Sequence, residues 1–438
     1  EQTRRGISLR HWDELADVAD HCTVCHKCVN PCPVDIDFGD VSMAMRNLLR
    51  KEGKKKFNPG TAASMLLLNA RDPATVNLLK STMLNWGYGA QRMAHKLAKR
   101  FGLIGSQTKR PPSTTGGKPP IKAQVIHFIN KPMPGGLPKQ TARKLLDIED
   151  DKVVPIIRNP QMNADEQEAV FYFPGCGSER LFSQVGLATQ AMLWHVGAQT
   201  VLPPGYLCCG YPQTASGNQD KGQEIITDNR VLFHRVANTL NYLDIKTVIV
   251  SCGTCMDQLQ KYEFEKIFPG CRLLDIHEYL MEKGMKLEGV TGTRYMYHDP
   301  CHSPMQTYQP MKVVNELMGQ KVDLNERCCG ESGTLAVTRP DISTQVRFRK
   351  EAEMRKGADK LRAIPVKAAS GLDEKFQGDV KILTSCPSCL QGLSRYDDDS
   401  ETKADYIVVE MAKHILGEKW MPEYVARANN GGIERVLV

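Results

Sequence analysis

The spacing of the cysteines limits the fold of this 438-residue chain more than any other feature of the sequence. Fourteen of the fifteen cysteines fall into three arrays, which span residues 22–32, 176–255 and 301–389. Cysteines separated by two residues, in a chain without a secretory signal, are typical of metal ligands or redox thiols in a reducing compartment. We therefore expect a cytoplasmic metalloprotein, and its start at Glu1 without methionine suggests a piece of a longer polypeptide.

The first array reads Cys22-x2-Cys25-x2-Cys28-x3-Cys32-Pro33. This is the ligand run of bacterial ferredoxins, in which closely spaced thiolates hold a 4Fe–4S cubane. A structural zinc site is the alternative, but zinc sites usually pair two separate Cys-x-x-Cys knuckles at a longer distance. The run therefore predicts a cubane cluster.

Cys32 raises a difficulty, because the fourth cysteine of such a run ligates the other cluster in two-cluster ferredoxins. A second run of this type is missing from the sequence. Either Cys32 closes its own cluster, or the matching run lies upstream of Glu1 or on a partner subunit. We expect the second arrangement, with one or two cubanes shared with that upstream segment or partner.

The second and third arrays share the order C, CC, C-x-x-C within an internal repeat. Each copy alternates strand-like and helix-like segments, which predicts α/β units with mainly parallel strands and cysteines at the strand ends. The candidate ligands of the first copy are Cys176, Cys208, Cys209, Cys252 and Cys255, and those of the second are Cys301, Cys328, Cys329, Cys386 and Cys389.

Each adjacent cysteine pair is followed by a glycine, Gly210 or Gly330, which allows a close backbone approach or a positive φ. Neighbouring cysteines make a poor disulfide, and five thiolates exceed the four that a cubane needs. The copies differ in one gap: 42 residues separate Cys209 from Cys252, whereas 56 separate Cys329 from Cys386. At least one insertion must therefore be looped out.

These arrays resemble the cysteine-rich CCG domains found in the B and D subunits of heterodisulfide reductase. The same domain occurs in glycolate oxidase iron–sulfur subunits, in the C subunit of anaerobic glycerol-3-phosphate dehydrogenase and in lactate-utilisation proteins. The resemblance implies a helical ferredoxin-like N-terminal domain followed by two α/β CCG domains. It also implies two further 4Fe–4S clusters, of the non-cubane type, held by the two five-cysteine sets.

A closer resemblance is to the C-terminal part of bacterial fusions that join a FAD-linked oxidase of the D-lactate dehydrogenase type to these modules. Segments such as HCTVCHKCVNPCPVDIDFGDVSM and RCCGESGTLAVTRPDISTQVRFRKE carry it. The resemblance implies an oxidoreductase whose FAD lies on a fused or partner domain. The electron acceptor would be a quinone, an electron-transfer flavoprotein or a disulfide.

The predicted domains follow the cysteine arrays. We expect the second half of a ferredoxin-like domain in residues 1–57, a helical hairpin broken by Gly87 and Gly89 in 58–105, and a Pro/Gly-rich linker in 106–167. Two segments of this linker, RPPSTTGGKPP and KPMPGGLPK, are too rich in Pro and Gly to hold regular elements. Within this linker, Gln124–Ile129 is interpreted as a strand or a tether. The CCG domains are expected in 168–290 and in 291–438, the latter with a C-terminal helix and tail.

The formal net charge of +7 is concentrated in two segments, Arg46–Lys56 and Arg92–Arg110. These segments predict either docking to an acidic partner or anionic membrane surface, such as the inner face of the cytoplasmic membrane, or simply solvated helix faces. Nucleic-acid binding is not expected, because the basic residues lack interleaved aromatics and match no nucleic-acid motif. No apolar run is long enough to predict a transmembrane helix.

Two histidines are candidates for parts of a site, whereas the odd cysteine is not. His298 and His302 flank Cys301, where each could hydrogen-bond to a cluster or have a local structural role. Cys271 lies outside the arrays and is expected to be a buried apolar side chain.

The favoured hypothesis is an electron relay from a flavin that oxidises a 2-hydroxy acid to an acceptor. A second is reduction of a disulfide at the CCG sites, and a third is a binding module with structural zinc. Catalytic residues remain unknown, since the sequence has no recognisable nucleophile–base pair and no flavin or nicotinamide motif.

Overall fold

A computed structural model describes residues 11–105, 111, 120–163, 167–331, 335–367 and 373–438. The described chain is a mixed α/β structure built around two sheets with parallel strands, which confirms the α/β part of the predicted fold class. Among the described helices, none combines the length and apolar character needed to cross a bilayer.

Within the described ranges, the strands form one six-stranded, one four-stranded and one two-stranded sheet. Their bounds are β1 Val153–Ile157, β2 Ala169–Phe173, β3 Gln199–Val201, β4 Thr247–Val250, β5 Arg272–Asp275, β6 Thr293–His298, β7 Asp323–Leu324, β8 Val366–Lys367, β9 Asp373–Glu374, β10 Asp379–Thr384, β11 Lys403–Tyr406 and β12 Ile433–Leu437.

The helices cover both faces of the two larger sheets. Their bounds are α1 Trp12–His21, α2 Phe38–Lys51, α3 Pro59–Asn69, α4 Pro73–Leu79, α5 Tyr88–Arg100, α6 Ile121–Ile129, α7 Ala142–Leu145, α8 Ser183–His195, α9 Tyr211–Ala215, α10 Gln219–Thr239, α11 Gly253–Leu259, α12 Phe264–Ile267, α13 Ile276–Glu282, α14 Pro310–Met318, α15 Leu335–Thr338, α16 Pro340–Ala363, α17 Pro387–Leu393, α18 Asp397–Ser400, α19 Ile407–Leu416 and α20 Trp420–Arg427.

The two sheets repeat one topology. The order β3-β2-β4-β5 in the larger sheet corresponds to β7-β6-β10-β11 in the smaller one, and all neighbours within each set are parallel. The repeat inferred from the cysteines is therefore a repeat of whole α/β units. In the second unit, the longer gap between Cys329 and Cys386 contains the 24-residue α16 and the β8–β9 pair.

The larger sheet is extended by strands from outside the first repeat. β1 pairs antiparallel with β3 on one side and with β12 on the other. The C-terminal segment therefore returns to the first unit after completing the second.

The predicted linker at 106–167 contains α6, α7 and β1 within its described residues, whereas its segment KPMPGGLPK at 131–139 has no helix or strand, as expected. Gln124–Ile129 lies inside α6 rather than in a strand or a tether. Most of residues 106–119 lie outside the described chain. The Pro and Gly residues were misleading because they cluster at the ends of short elements that pack against other parts of the molecule.

The expected break of the helical segment at Gly87 and Gly89 is also wrong. Residues 73–100 run continuously through α4, a π-helical turn at Lys80–Gly87 and α5, and Gly87 has helical angles of φ −61° and ψ −44°. A helical glycine costs only about 1 kcal/mol relative to alanine. Contacts such as that of the buried Lys80 Nζ with the Arg180 carbonyl oxygen, 2.6 Å away, offset that cost.

Candidate metal centre

The first cysteine array lies in the loop that joins α1 to α2. Backbone amides donate to three of its sulfurs: Val24 to Cys22 at 3.3 Å, Phe38 to Cys28 at 3.2 Å, and Ile36 to Cys32 at 3.3 Å. Val24 and His26 have positive φ values of 51° and 56°, and such a value is a genuine outlier for the β-branched Val24. The loop thus takes strained angles while its N–H groups point at sulfur, as an anionic cluster requires.

This loop is docked against the second repeat. The Cys25 thiol lies beside Cys301, and interaction with that thiol lowers the pKa of Cys25 to about 5. His302 donates from Nε2 to the Val24 carbonyl oxygen at 2.8 Å. Arg46 of α2 attaches the loop to the first repeat by donating to the Ala215 carbonyl oxygen at 2.7 Å.

The five cysteines of each repeat converge at the carboxyl ends of the parallel strands. Cys176 follows β2, Cys252 follows β4, and Cys255 lies in the first turn of α11; Cys301, Cys386 and Cys389 take the corresponding places after β6 and β10 and in α17. The glycines after the adjacent pairs have the predicted positive φ, 87° at Gly210 and 78° at Gly330.

Neighbouring thiols that affect one another's protonation connect the arrays into one continuous set. The sulfurs of Cys329 and Cys389 are 3.6 Å apart, and Cys252 of the first repeat meets Cys386 of the second. In order of contact, the set is Cys25, Cys301, Cys328, Cys329, Cys389, Cys386, Cys252, Cys255, Cys209, Cys208 and Cys176.

The two repeats face each other with approximate twofold symmetry at this junction. Gly253, next to Cys252, packs so closely on the His302 carbonyl oxygen that a methyl group would overlap it, and Gly177, next to Cys176, packs against Pro387. The Tyr406 hydroxyl lies 2.8 Å from the Ser251 carbonyl oxygen and 2.7 Å from that of Ser385. The Cys252–Cys386 contact is therefore held by rigid backbone.

Two buried arginines near the cysteines indicate whether the surroundings of the sulfurs suit an anionic group. Arg180 is 1% exposed, interacts electrostatically with Cys176 and Cys208, and has no hydrogen-bond partner at Nε or Nη2. Arg347 is 2% exposed and interacts with Cys329; its Nη1 and Nη2 are likewise without partners. Unsatisfied buried N–H groups are costly. Thiolate-bound clusters of negative charge would satisfy both arginines, so the residues present fit such a group.

A variant test follows from this charge balance. Arg180→Met keeps the length of the side chain but removes the countercharge of the first repeat only. We expect the purified protein to lose the iron of that site while retaining the iron of the second. Iron and acid-labile sulfide per chain, measured with the EPR spectrum of the reduced protein, check this expectation. Arg158→Met, which removes a half-exposed pair with Glu434, is the control and should keep the full content.

A cavity of about 1220 Å³ opens beside the joined cysteines. Its lining includes cysteines of all three arrays together with apolar side chains, among them Met65, Leu68 and Leu84 of the N-terminal helices. The centre therefore has room for clusters and borders a partly apolar chamber.

The other candidate residues from the sequence lie at different places in the structure. Among the described residues, two sets of three ligand-type side chains have their ligand atoms within 4.8 Å of one another: His298 with Cys329 and Cys389, and His26 with Asp37 and Asp40. Cys32 belongs to neither set. Cys271 is half-buried rather than buried, and it packs against the core, where burial raises its pKa to about 11.

Sequence reasoning missed the residues that surround the sulfurs. Arg180 lies four positions after Cys176, and this proximity was a usable signal. Arg347 and Tyr406 are distant in sequence from the cysteines that they approach, and only the packing of α16 and the strand order bring them close.

Comparison with known families identifies the repeats. The family described as "Cysteine-rich domain" (CCG) matches residues 170–260 and 295–394, and a "Domain of unknown function (DUF3400)" matches residues 394–438. Two segments of the chain therefore match the CCG cysteine-rich domain, which together make up less than half of its length.

Individual proteins that resemble this chain have low sequence identity to it. A fumarate reductase (CoM/CoB) subunit of Methanothermobacter marburgensis is 26% identical over 48% of this chain and 44% of that protein. The probable glycolate oxidase iron-sulfur subunit of Bacillus subtilis is 26% identical over 41% of this chain and 43% of that protein. Lactate utilization protein A of Bacillus licheniformis is 27% identical over 40% of this chain and 78% of that protein.

The chain thus spans less than half the length of the first two of these relatives. No solved structure matches it significantly.

Proposed function

We propose that this chain is the iron–sulfur electron-transfer module of a FAD-linked 2-hydroxy-acid dehydrogenase acting on D-lactate, D-2-hydroxyglutarate or glycolate. The three cysteine arrays hold its clusters: a cubane at Cys22, Cys25 and Cys28, and one cluster, of the non-cubane type, at each five-cysteine set. When bound, such clusters supply one-electron steps between a two-electron donor and an acceptor.

The observation that carries this proposal is the continuous series of sulfur contacts from Cys25 to Cys176. An enzyme that used each site separately would have no need to bring the arrays into contact. The junctions are Cys25 with Cys301 and Cys252 with Cys386. We infer that electrons enter at the N-terminal array and pass to the second repeat. They reach the first repeat last.

The protein residues supply ligands, counter-charges and exclusion of water. Arg180 and Arg347 balance the negative charge of the sites, while the amides of Val24, Ile36 and Phe38 stabilise the sulfurs of the first array. Cys208, Cys209, Cys252 and Cys255 are all buried, which keeps solvent from the first repeat.

The flavin and the ligands that complete the first array belong to a fused or partner domain in this proposal. Cys32 could bind a second cubane. Within the described chain its sulfur accepts a hydrogen bond from the Ile36 amide, and this bond leaves the sulfur available to iron. The glycolate oxidase and lactate utilization relatives support a hydroxy-acid substrate through their names.

The decisive experiment is anaerobic addition of each 2-hydroxy acid to the native enzyme. Its oxidation to the 2-oxo acid releases two electrons and two protons, and the electrons should bleach the visible absorbance of the clusters. In Cys25→Ser, substrate should still bleach the flavin but not the CCG clusters, which dithionite should continue to reduce. Cys271→Ser, outside the arrays, should behave as the unaltered enzyme. Absence of cluster bleaching with all three acids would contradict the proposal.

A second function is favoured by the cavity that borders both CCG sites at once. A disulfide bound there would be reduced to two thiols by two electrons and two protons, one electron from each site. The relative named as a fumarate reductase (CoM/CoB) supports this alternative. Turnover of a disulfide with a reduced viologen dye tests it, and clusters that reduce none of the disulfides tried would exclude it.

A further inference from the structure

Helix α5 carries a stripe of large apolar side chains on the side that faces outward. Met93 and Leu97 of α5 and Phe101 directly after it recur every four residues, and they are 64%, 47% and 73% exposed. Residues four apart lie on the same side of a helix. A surface helix normally packs such a stripe against the core. In the described chain, the stripe of α5 faces away from the core instead.

Hydrogen bonds hold α5 in this orientation. Gln91, on its other side, is 6% exposed; its Nε2 donates to the Lys131 carbonyl oxygen at 2.8 Å, and its Oε1 accepts from the Met133 amide at 2.7 Å. His95 donates from Nδ1 to the Ile129 carbonyl oxygen at 2.9 Å. A rotation of the helix that buried the apolar stripe would break these bonds. The outward stripe is therefore a property of the fold.

Further large apolar side chains are exposed close to α5. Trp86, in the π-helical turn that leads into α5, is 75% exposed, and Leu103, just after α5, is 74% exposed. The neighbouring α6 exposes Ile121, Val125 and Ile126. So many large apolar side chains on two neighbouring helices are typical of a surface that binds a membrane or another protein.

The charge of this part of the chain distinguishes between these two kinds of partner. Residues 73–146 contain thirteen lysines and arginines and no aspartate or glutamate. Lys96, Lys99 and Arg100 of α5 are exposed, and none of the three forms an ion pair with a described carboxylate. The helix macrodipole accounts for cations in the last turn, such as Lys99 and Arg100. It does not account for a segment of this length without an acidic residue.

An anionic lipid surface fits this composition better than an acidic protein does. Anionic headgroups attract every nearby lysine and arginine without a matched arrangement of carboxylates. Interfaces between proteins are instead depleted in lysine. Helices that lie in the bilayer interface combine Trp, Phe and Leu with Lys and Arg, and Trp is enriched at the level of the headgroups. Trp86, Leu97 and Phe101, together with Lys96 and Arg100, have this composition.

We propose that the outward face of α5 and the adjoining π-helical turn dock on an anionic lipid bilayer and lie at its surface without crossing it. Met83, Leu84 and Tyr88 of the same segment line the chamber beside the cysteines. A helix is about 10 Å thick, so docking holds this chamber about one helix diameter from the lipid. The inference does not depend on the substrate of the proposed function.

Flotation of the whole native enzyme with phospholipid vesicles tests the docking. One set of vesicles contains phosphatidylcholine alone, and the other contains equal parts of phosphatidylcholine and phosphatidylglycerol. We expect the enzyme to bind the anionic vesicles and not the neutral ones, and added salt should weaken this binding. The assay uses no hydroxy acid, so a failure of the proposed substrate class leaves its result readable.

Two sets of substitutions separate the contribution of charge from that of apolar surface. Lys96→Gln/Lys99→Gln/Arg100→Gln should weaken binding to the anionic vesicles about a hundredfold, since each cation near an anionic leaflet contributes about fivefold. Leu97→Ser/Phe101→Ser should weaken it by about tenfold or more, because less apolar surface is then buried in the interface.

Matched controls remove the same types of side chain from exposed positions in the first and second repeats. Val231→Ser/Tyr242→Ser controls for apolar surface, and Arg235→Gln/Lys261→Gln/Lys356→Gln controls for net charge. Both controls should bind the anionic vesicles nearly as well as the unaltered enzyme. Far-UV circular dichroism and the iron content of every variant establish that it is folded.

The emission of Trp86 reports whether lipid covers this face. Brominated lipids in the vesicles quench tryptophans that reach the bilayer, and Trp86→Phe should lose part of the quenching seen in the unaltered enzyme. Three results would overturn the inference. One is a native enzyme that binds neither kind of vesicle, as when another domain or an acidic protein covers the face. The others are an equal loss of binding in the controls and full quenching in Trp86→Phe.

Discussion

Gly253→Ala is expected to lower the free energy of unfolding by about 3 kcal/mol, because a buried side chain inserted without free space forces the backbone to shift. The added methyl group would overlap the carbonyl oxygen of His302 in the other repeat. Both partners are backbone or fixed to backbone, so neither can rotate away. The Cys252–Cys386 contact lies next to this point, and we expect it to open as the repeats separate.

Urea unfolding of the anaerobically purified protein, followed by far-UV circular dichroism and by the visible absorbance of the clusters, measures this effect. Gly292→Ala is the matched control, since that exposed glycine has no neighbouring atom within 4 Å of a Cβ and does not have a positive φ. A Gly253→Ala protein as stable as the control would show that the two repeats do not meet as described.

Lys131→Met is expected to cost about 3–5 kcal/mol, the typical loss when one partner of a buried ion pair is removed. Lys131 is 5% exposed, and its Nζ lies 2.6 Å from Glu351 of α16 and 2.5 Å from Asp399 of α18. Methionine fills a similar volume but removes the cation that Asp399 and Glu351 share, so Glu351 is left with only its pair to Arg355. The loss should therefore come from uncompensated charge and not from a cavity.

The same urea titration measures this loss, with Lys139→Met as the control because Lys139 is exposed in the same segment. The double variant Lys131→Met/Glu351→Gln should recover part of the lost stability, since it removes one of the two carboxylate charges that Lys131 neutralises. If Lys131→Met were no less stable than Lys139→Met, the segment that carries Lys131 would behave as the loose linker that its composition suggested.

The strands and helices nearest to the cysteines could be predicted from the sequence because local patterns determine them. Val170–Phe173 and Val380–Thr384 are apolar runs that end close to a cysteine, and both fall within the strands observed. The glycines of the Cys-Cys-Gly motifs could be assigned a positive φ for a local reason as well. The repeat then placed both five-cysteine sets at strand ends.

Contacts between segments far apart in sequence could not be predicted in this way. The pairing of β1 with β12 joins residues 153–157 to 433–437, and neither segment contains a motif that names its partner. The contacts of Gly253 with His302 and of Tyr406 with both repeats depend on how two finished units pack. Helix α6 was not predicted, because the prolines that flank it indicate a linker more strongly than its short apolar pattern indicates a helix.

The return of β12 to the first sheet has a consequence for biosynthesis. A ribosome releases the chain from the N-terminus, so the first repeat emerges with all of its cysteines while the strand that covers β1 is still unmade. Its sulfurs also lack their neighbour Cys386 at that stage. Iron delivered during translation would meet an open, oxygen-sensitive half-site. We therefore expect cluster insertion to follow translation of residue 437, with the scaffold proteins of assembly acting on a folded chain.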